Sequence, residues 1–312
     1  MKRMTKLATS AVLLSLALSA NQASAAKIGV TMSAFDDNFL TVVRNNMKNY
    51  ADSKSGVDIQ FEDAQNDIGR QLSQVQNFIA EKVDAIIVNA VDTDATPKIT
   101  RLAQSAGIAL VYVNRMPGDK ALPNKVAFVG SNEVDSGTKQ MKEVCRLMGG
   151  KGSIVVMMGD LSNQAARQRT QDVENVIAAP GCNGIKIIEK QTAKWSRTEG
   201  RDLMMNWLSA GLSFNAVVSN NDEMALGAIQ ALKASGHMDK TIVAGVDATA
   251  DALAAMKAGD LKVTVFQNAA GQGRGAVDTA LRLSRGEKVP PMIWVPFELV
   301  TPANLKNYLT RN

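Results

Sequence analysis

The chain has 312 residues, with 35 Lys and Arg against 30 Asp and Glu, and 46% of it is hydrophobic. That length suits two ordinary domains or one large one. The formal charge of +5 does not mark a nucleic-acid binder: without residues 1–25 the balance is 32 against 30, a net +2, and no basic patch stands elsewhere.

Lys2, Arg3 and Lys6 precede an apolar run from Leu7 to Ala20, and Ala23-Ser24-Ala25 places small residues where a signal peptidase reads them. The pattern predicts a secretory signal over residues 1–25, cleaved after Ala25. The apolar run falls short of the roughly 20 residues that span a bilayer, and no later stretch is long and apolar enough to do so.

Ten short apolar runs follow, at residues 28–32, 57–61, 85–88, 108–113, 126–129, 153–158, 185–188, 216–218, 242–244 and 263–265. Each has strand length, and continuous apolar runs suit strands buried on both faces of a parallel sheet. Between them lie stripes at helical spacing. Phe39, Val42, Val43, Met47 and Tyr50 predict a helix over 38–53; Leu72, Val75, Phe78 and Ile79 predict one over 70–81. Met224, Ala225, Ala228, Ile229 and Leu232 predict another over 222–234. Such alternation of strand and helix predicts an α/β fold with parallel sheets. Ten strands divide more readily into two sheets than extend as one, because strongly twisted open sheets rarely exceed about ten strands. A weak internal echo agrees: the run from Asp84 to Asn89 is matched about 130 residues later by Asn215 to Asn220, each a strand ending in Asn. Two similar lobes are expected.

Open parallel sheets bind ligands at the carboxyl ends of their strands. The residues that follow the runs include Ser33, Asp37, Phe39 and Asn89, then Asn114, Arg115 and Arg167, then Trp195, Asn221, Asp247 and Gln267. Amides, carboxylates and guanidinium groups pair with adjacent hydroxyls. Aromatic faces cover the C–H face of a pyranose or cyclohexane ring. The set therefore suits a polyhydroxylated ring. Asp and Asn at such places also cap helices, and Asp222 reads as a cap; Trp195 and Arg167 are not capping types.

No catalytic constellation stands out. There is no Gly-x-Ser-x-Gly, and the glycines from Gly271 to Gly275 lack the Lys-Ser/Thr ending of a phosphate loop. No glycine-rich dinucleotide turn follows the first run. The single histidine, His237, lies in the turn-like stretch Ala234-Ser235-Gly236-His237, and its spacing from Cys145 and Cys182 makes no metal site. No metal and no cofactor are expected. Cys145 and Cys182 are either two buried thiols or one disulfide, and export favours the disulfide.

The stretch Asn221-Asp222-Glu223-Met224-Ala225-Leu226-Gly227-Ala228 resembles a signature of the ribose- and galactose-type periplasmic binding proteins, which feed ABC importers. Gly245-Val246-Asp247 and Ala165-Ala166-Arg167-Gln168-Arg169 match as well, and the resemblance covers nearly all of the chain beyond the leader. It implies the type I periplasmic binding protein architecture: two Rossmann-like lobes with parallel sheets, joined by a three-segment hinge. The crossovers would fall near residues 131, 268 and 296, giving an N-terminal lobe of 26–131 plus 268–296 and a C-terminal lobe of 132–267 plus 297–312. The resemblance further implies that Phe39 and Trp195 sandwich a ring from opposite lobes. Arg115, Arg167, Asn221, Asp247 and Gln267 would bind its hydroxyls, with Ser33 and Asn89 nearby. A periplasmic monomer is expected, one that closes on its ligand, docks on a membrane permease and performs no chemistry.

Two positions depart from the ribose binders of that family, which carry Asp where this chain has Asn114 and Asn where it has Asp37. The motif Phe35-Asp36-Asp37-Asn38-Phe39 is more similar to binders of inositol or of rhizopine, an aminated methyl-inositol. Asp37 then either partners a ligand ammonium, whose burial without a counter-charge is costly, or accepts two hydroxyl hydrogen bonds. The alternatives are a ribose- or galactose-type monosaccharide ligand, or a sensor that docks on a chemoreceptor. A repressor of the same fold would need a DNA-binding helix-turn-helix where the leader stands.

Overall fold

A computed structural model describes residues 25–311; the expected leader, Ala25 apart, lies outside the described residues. The chain opens with β1 (Ala26–Met32), α1 (Asn38–Asp52), β2 (Val57–Asp63), α2 (Ile68–Ala80) and β3 (Ala85–Val88). It continues through α3 (Thr96–Ser105), β4 (Ala109–Val113) and β5 (Val126–Gly130). These strands pair in parallel in the order β5-β4-β3-β1-β2. Burial on both faces explains the unbroken apolar runs of β3, β4 and β5, whereas β2, at the sheet edge, alternates polar and apolar residues and has no buried position. Ile87 and Val111 enter a core shared with α1, whereas Ile86, Leu110 and Tyr112 enter a second core shared with α2 and α3. The α1 helix begins where the Asp37 carboxylate accepts the Leu40 amide at 2.8 Å. Its stripe of Phe39, Leu40, Val43 and Met47 is the buried face.

The chain then leaves this sheet. The second lobe is built from α4 (Glu133–Met148), β6 (Lys151–Met158), α5 (Gln164–Ala178), β7 (Gly184–Thr192) and α6 (Arg197–Ser209). After them come β8 (Ala216–Ser219), α7 (Asp222–Ala234), β9 (Ile242–Ala244), α8 (Ala250–Ala258) and β10 (Thr264–Phe266). Its sheet runs β7-β6-β8-β9, all parallel, with the β10 segment attached beyond β9 through single bridges. The chain returns to the first lobe as α9 (Ala269–Ser284), which packs on α1, and β11 (Met292–Trp294), which pairs with β5. A last crossing brings β12 (Glu298–Val300) antiparallel to β10. The crossings thus fall between β5 and α4, between β10 and α9, and between β11 and β12. β11 and β12 have three residues each, too few for a periodic pattern, and the sequence reading of ten strands lacks both.

The orders β2-β1-β3-β4 and β7-β6-β8-β9 are the same, which is the physical content of the sequence echo. In each lobe the order reverses beside the first strand, and a crevice opens there at the carboxyl ends. The two echoed asparagines stand at these reversals. Asn89 Oδ1 accepts the Ser33 hydroxyl at 2.7 Å, and Asn220 Oδ1 accepts the Gly159 amide at 3.0 Å. Each ties the end of one strand to the loop that leaves its neighbour. Cys145 and Cys182 form a disulfide, with 5.8 Å between their Cα atoms, that joins the carboxyl end of α4 to the turn after α5.

Candidate ligand-binding site

The two lobes touch along both rims of the cleft between them. On one rim the Asn163 side-chain amide donates to the Val91 carbonyl at 3.0 Å, and the Thr93 amide donates to the Ser162 carbonyl at 3.1 Å. On the other, Asn38 Nδ2 donates to Glu223 Oε1 at 2.9 Å, and Arg197 holds both oxygens of that carboxylate. Between the rims lie a wide outer cavity of about 620 Å³ and a narrow inner one of about 40 Å³. The outer one is larger, but much of its wall is exposed, as at Asp36, Lys194 and Glu199. The inner one is the better candidate because both lobes line it with buried polar groups.

Eight of the eleven side chains expected from sequence line the inner cavity. Asp37, Phe39, Asn114 and Arg115 come from the first lobe, and Trp195, Asn221 and Asp247 from the second. Gln267 stands on the crossing between β10 and α9. Phe39 and Trp195 therefore belong to opposite walls. Three of the eight hold left-handed backbone: Asn114 at φ 67°, Trp195 at φ 67° and Asp247 at φ 125°. Non-glycine residues adopt such angles at a cost, and they cluster where a side chain must be aimed at a ligand.

The other three stand elsewhere. Ser33 and Asn89 are fully buried behind the wall. Asn89 accepts from Ser33 and donates to the Asn114 side chain at 3.2 Å, so the pair braces Asn114 without reaching the cavity. Arg167 lines neither cavity; it bridges the lobes, donating to Asp94 at 2.9 Å and to the Leu161 carbonyl at 2.6 Å. The inner cavity takes Arg169 in its place. Residues two apart on a helix point about 200° apart, so only one arginine of the motif can face the chamber. Which one it is depends on where α5 begins. Asp222 is likewise not the cap of α7. Asn221 is, accepting the Met224 amide at 3.0 Å, and its Nδ2 also holds the Trp195 carbonyl at 3.2 Å. The Asp222 carboxylate instead accepts from the Thr249 amide at 2.9 Å and from the Thr264 hydroxyl at 2.8 Å.

Sequence reading also missed Glu133 and Asn163, which complete the inner wall. Both sit at helix starts, where a polar residue reads as a cap or a solvated first turn. Asn163 is 1% exposed and spends its amide N–H on Val91, while its Oδ1 is buried with no partner. The Trp195 indole N–H is also buried without a partner. Both are atoms that a ligand hydroxyl would satisfy.

The cavity is crowded with charge. Burial pulls the Arg115 guanidinium down to about 10, against the pull of Asp37 and Asp160. Burial raises the Asp37 carboxyl, although its bond from Leu40 and the charge of Arg115 oppose the rise. Asp247 stands well above the usual carboxylate range; burial is the main cause, Arg169 opposes it, and Asp222, Asp37 and Glu133 add to it. No nucleophile beside a base is among these groups.

Residues 28–288 match the model of the periplasmic binding protein domain. The chain is 60% identical over 292 residues to a Rhizobium meliloti protein described as rhizopine-binding, covering 93% of this chain and 94% of that one. A solved ABC transporter solute-binding protein from Bacillus halodurans with bound myo-inositol is 43% identical with a TM-score of 0.88, covering 94% of this chain and all of that one. The Caulobacter myo-inositol-binding protein, solved with myo-inositol, is 28% identical with a TM-score of 0.84, over 92% of this chain and 96% of that one. With its two parallel-sheet lobes around a polar cleft, the chain belongs to the periplasmic binding protein domain family.

Proposed function

We propose that this protein is the periplasmic solute-binding component of an ABC importer and that it captures a cyclic polyol of the inositol or rhizopine kind by closing its lobes on it. The observation that carries this reading is the inner chamber, which Asp37, Arg115 and Phe39 line from one lobe and Arg169, Asp247 and Trp195 from the other. Carboxylates and guanidinium forks bind vicinal hydroxyls in pairs. The two aromatic faces cover the apolar faces of a six-membered ring. The relatives described as binding rhizopine or solved with myo-inositol support the ligand class.

Closure follows from where the groups stand. Neither lobe alone carries the full set of hydroxyl partners. A ligand that touches both lobes binds the closed state better than the open one, and so drives the transition. Hydrogen bonds between the lobes bridge both rims, so a polyol ring is admitted only when the lobes part. The hinge would lie in the three crossings, near residues 131, 268 and 296, with the lobes divided there as the family resemblance implies. Secretion through a cleaved leader, a monomeric state, docking on a membrane permease and release of the ligand chemically unchanged complete the reading. Titration calorimetry with myo-inositol, scyllo-inosamine and common monosaccharides tests it, beside small-angle scattering with and without ligand. Micromolar or tighter binding of a polyol with a smaller radius of gyration is expected. Absence of binding to every polyol, or binding without compaction, overturns it.

A further inference from the structure

Glu133 is the first residue of α4, just past the crossing out of β5, and is 4% exposed. Its two oxygens take the fork of Arg169: Oε2 accepts Nε at 2.6 Å and Oε1 accepts Nη2 at 3.1 Å. The Ser136 hydroxyl donates to Oε2 at 3.0 Å and keeps the carboxylate in place. Arg169 Nη1 donates to the Asn220 carbonyl at 2.7 Å. Its guanidinium carbon lies 5.7 Å from the Trp195 ring centre and 5.8 Å from that of Phe297, a residue of the last crossing. Three of the five guanidinium N–H groups are thus committed.

The bidentate pair also sets the charge of the chamber. The lining carries Asp37, Glu133 and Asp247 against Arg115 and Arg169. Once Glu133 cancels Arg169, two carboxylates face one guanidinium. The outer cavity has the same sign: Asp36, Asp37, Asp92, Asp160, Glu199 and Glu223 outnumber Arg115, Lys194 and Arg197.

We propose that Glu133 is a specificity-determining positioning residue: by holding the fork of Arg169 and cancelling its charge, it leaves the chamber one positive charge short, so that a polyol bearing an ammonium is selected over a neutral one. The inference rests on the polyol reading above and deepens it. Without the Glu133 charge, Arg169 would turn its attraction on Asp247, and the deficit would vanish.

The test is calorimetry of wild type, Glu133→Gln and Glu133→Asp with scyllo-inosamine and with myo-inositol. Wild type is expected to prefer the inosamine. Glu133→Gln, close to the native shape but uncharged, is expected to weaken both ligands through the loosened Arg169 and to narrow the preference for the inosamine over myo-inositol by about tenfold or more. Glu133→Asp, which keeps the charge, is expected to retain the preference whatever its absolute affinity; loss of the preference in this variant also overturns the inference. Equal losses for both ligands in Glu133→Gln overturn the inference and make Glu133 a structural brace only. Wild type that binds myo-inositol but not the inosamine overturns the inference and leaves the polyol reading standing. Wild type that binds neither overturns both.

Discussion

Asn163 and Val91 join the two lobes at the edge of the inner chamber: the Asn163 amide donates to the Val91 carbonyl at 3.0 Å, while its Oδ1 faces no protein partner. One side chain thus closes the cleft with one end and offers a buried acceptor with the other. A ligand hydroxyl that donates to Oδ1 has its partner in position only when the lobes are shut, which is the differential affinity that closure requires. Asn163→Ala removes both bonds and is expected to weaken polyol binding by about 1–2 kcal/mol, roughly five- to thirtyfold. Calorimetry gives the affinity and scattering gives the compaction. Unchanged affinity would remove Asn163 from the site.

Gly159 and Trp195 define the far wall. A Cβ at position 159 would lie 2.2 Å from Cζ2 of the Trp195 ring, so the indole rests against bare backbone. That backbone is fixed, because the Gly159 amide donates to Asn220. Gly159→Ala must therefore displace the ring towards the chamber, an overpacking cost of about 1–3 kcal/mol. The expected result is a loss of affinity of about tenfold or more, with a melting temperature lowered only slightly if the ring moves as a body. Wild-type affinity in this variant would show that Trp195 does not form the wall against which the ring stacks.

The sequence exposes most of this arrangement, and the exceptions have physical causes. β3, β4 and β8 are legible because a strand covered on both faces must be apolar throughout, as in Ala85–Val88. Asp37, Asn114 and Asp247 are legible because they follow such runs and therefore stand at the carboxyl ends. Arg167 and Arg169 are distinguishable only once α5 is known to start at Gln164, since helix phase decides which one faces inward. Ser33 and Asn89 occupy the right strand ends but spend their hydrogen bonds on each other and on Asn114, which no local pattern reveals. Glu133 is hidden for another reason: its partner is 36 residues away.

The disulfide is expected to stabilise the second lobe without touching binding. Cys145 lies twelve residues along α4 from Glu133, about 18 Å at the rise of a helix, and so at the end remote from the cleft. Closing a loop with a sequence separation of 37 contributes about 4 kcal/mol in the chain-entropy account. Cys145→Ser with Cys182→Ser is expected to lower unfolding stability by roughly 2–4 kcal/mol and to leave polyol affinity within about twofold. Denaturant unfolding and calorimetry on the same samples check both halves of the expectation.

Asp172 gives stability a pH dependence whose sign is fixed by its surroundings. It lies on α5 under α4, where a Cβ on Gly137 would be 2.8 Å from its own Cβ, and one of its oxygens is buried without a partner. Burial raises its carboxyl to about 6; the bond from Gln168 and the charge of Arg169 oppose the rise, and Glu133 and Asp135 add to it. A carboxyl raised on folding binds its proton more tightly in the native state. Between the unfolded value near 4 and the folded value of about 6, the native chain holds a proton that the unfolded chain has released, so stability falls as pH rises through that window. Above it, both states are ionised and this contribution is flat. Asp172→Asn has no proton to lose, so its melting temperature relative to wild type is expected to climb from pH 4 to pH 6 and then level off. Subtracting the wild-type curve cancels the titration of every other group that the substitution leaves undisturbed. A difference that stays constant across the window would show that Asp172 is already ionised when buried, and that water or Arg169 reaches its second oxygen.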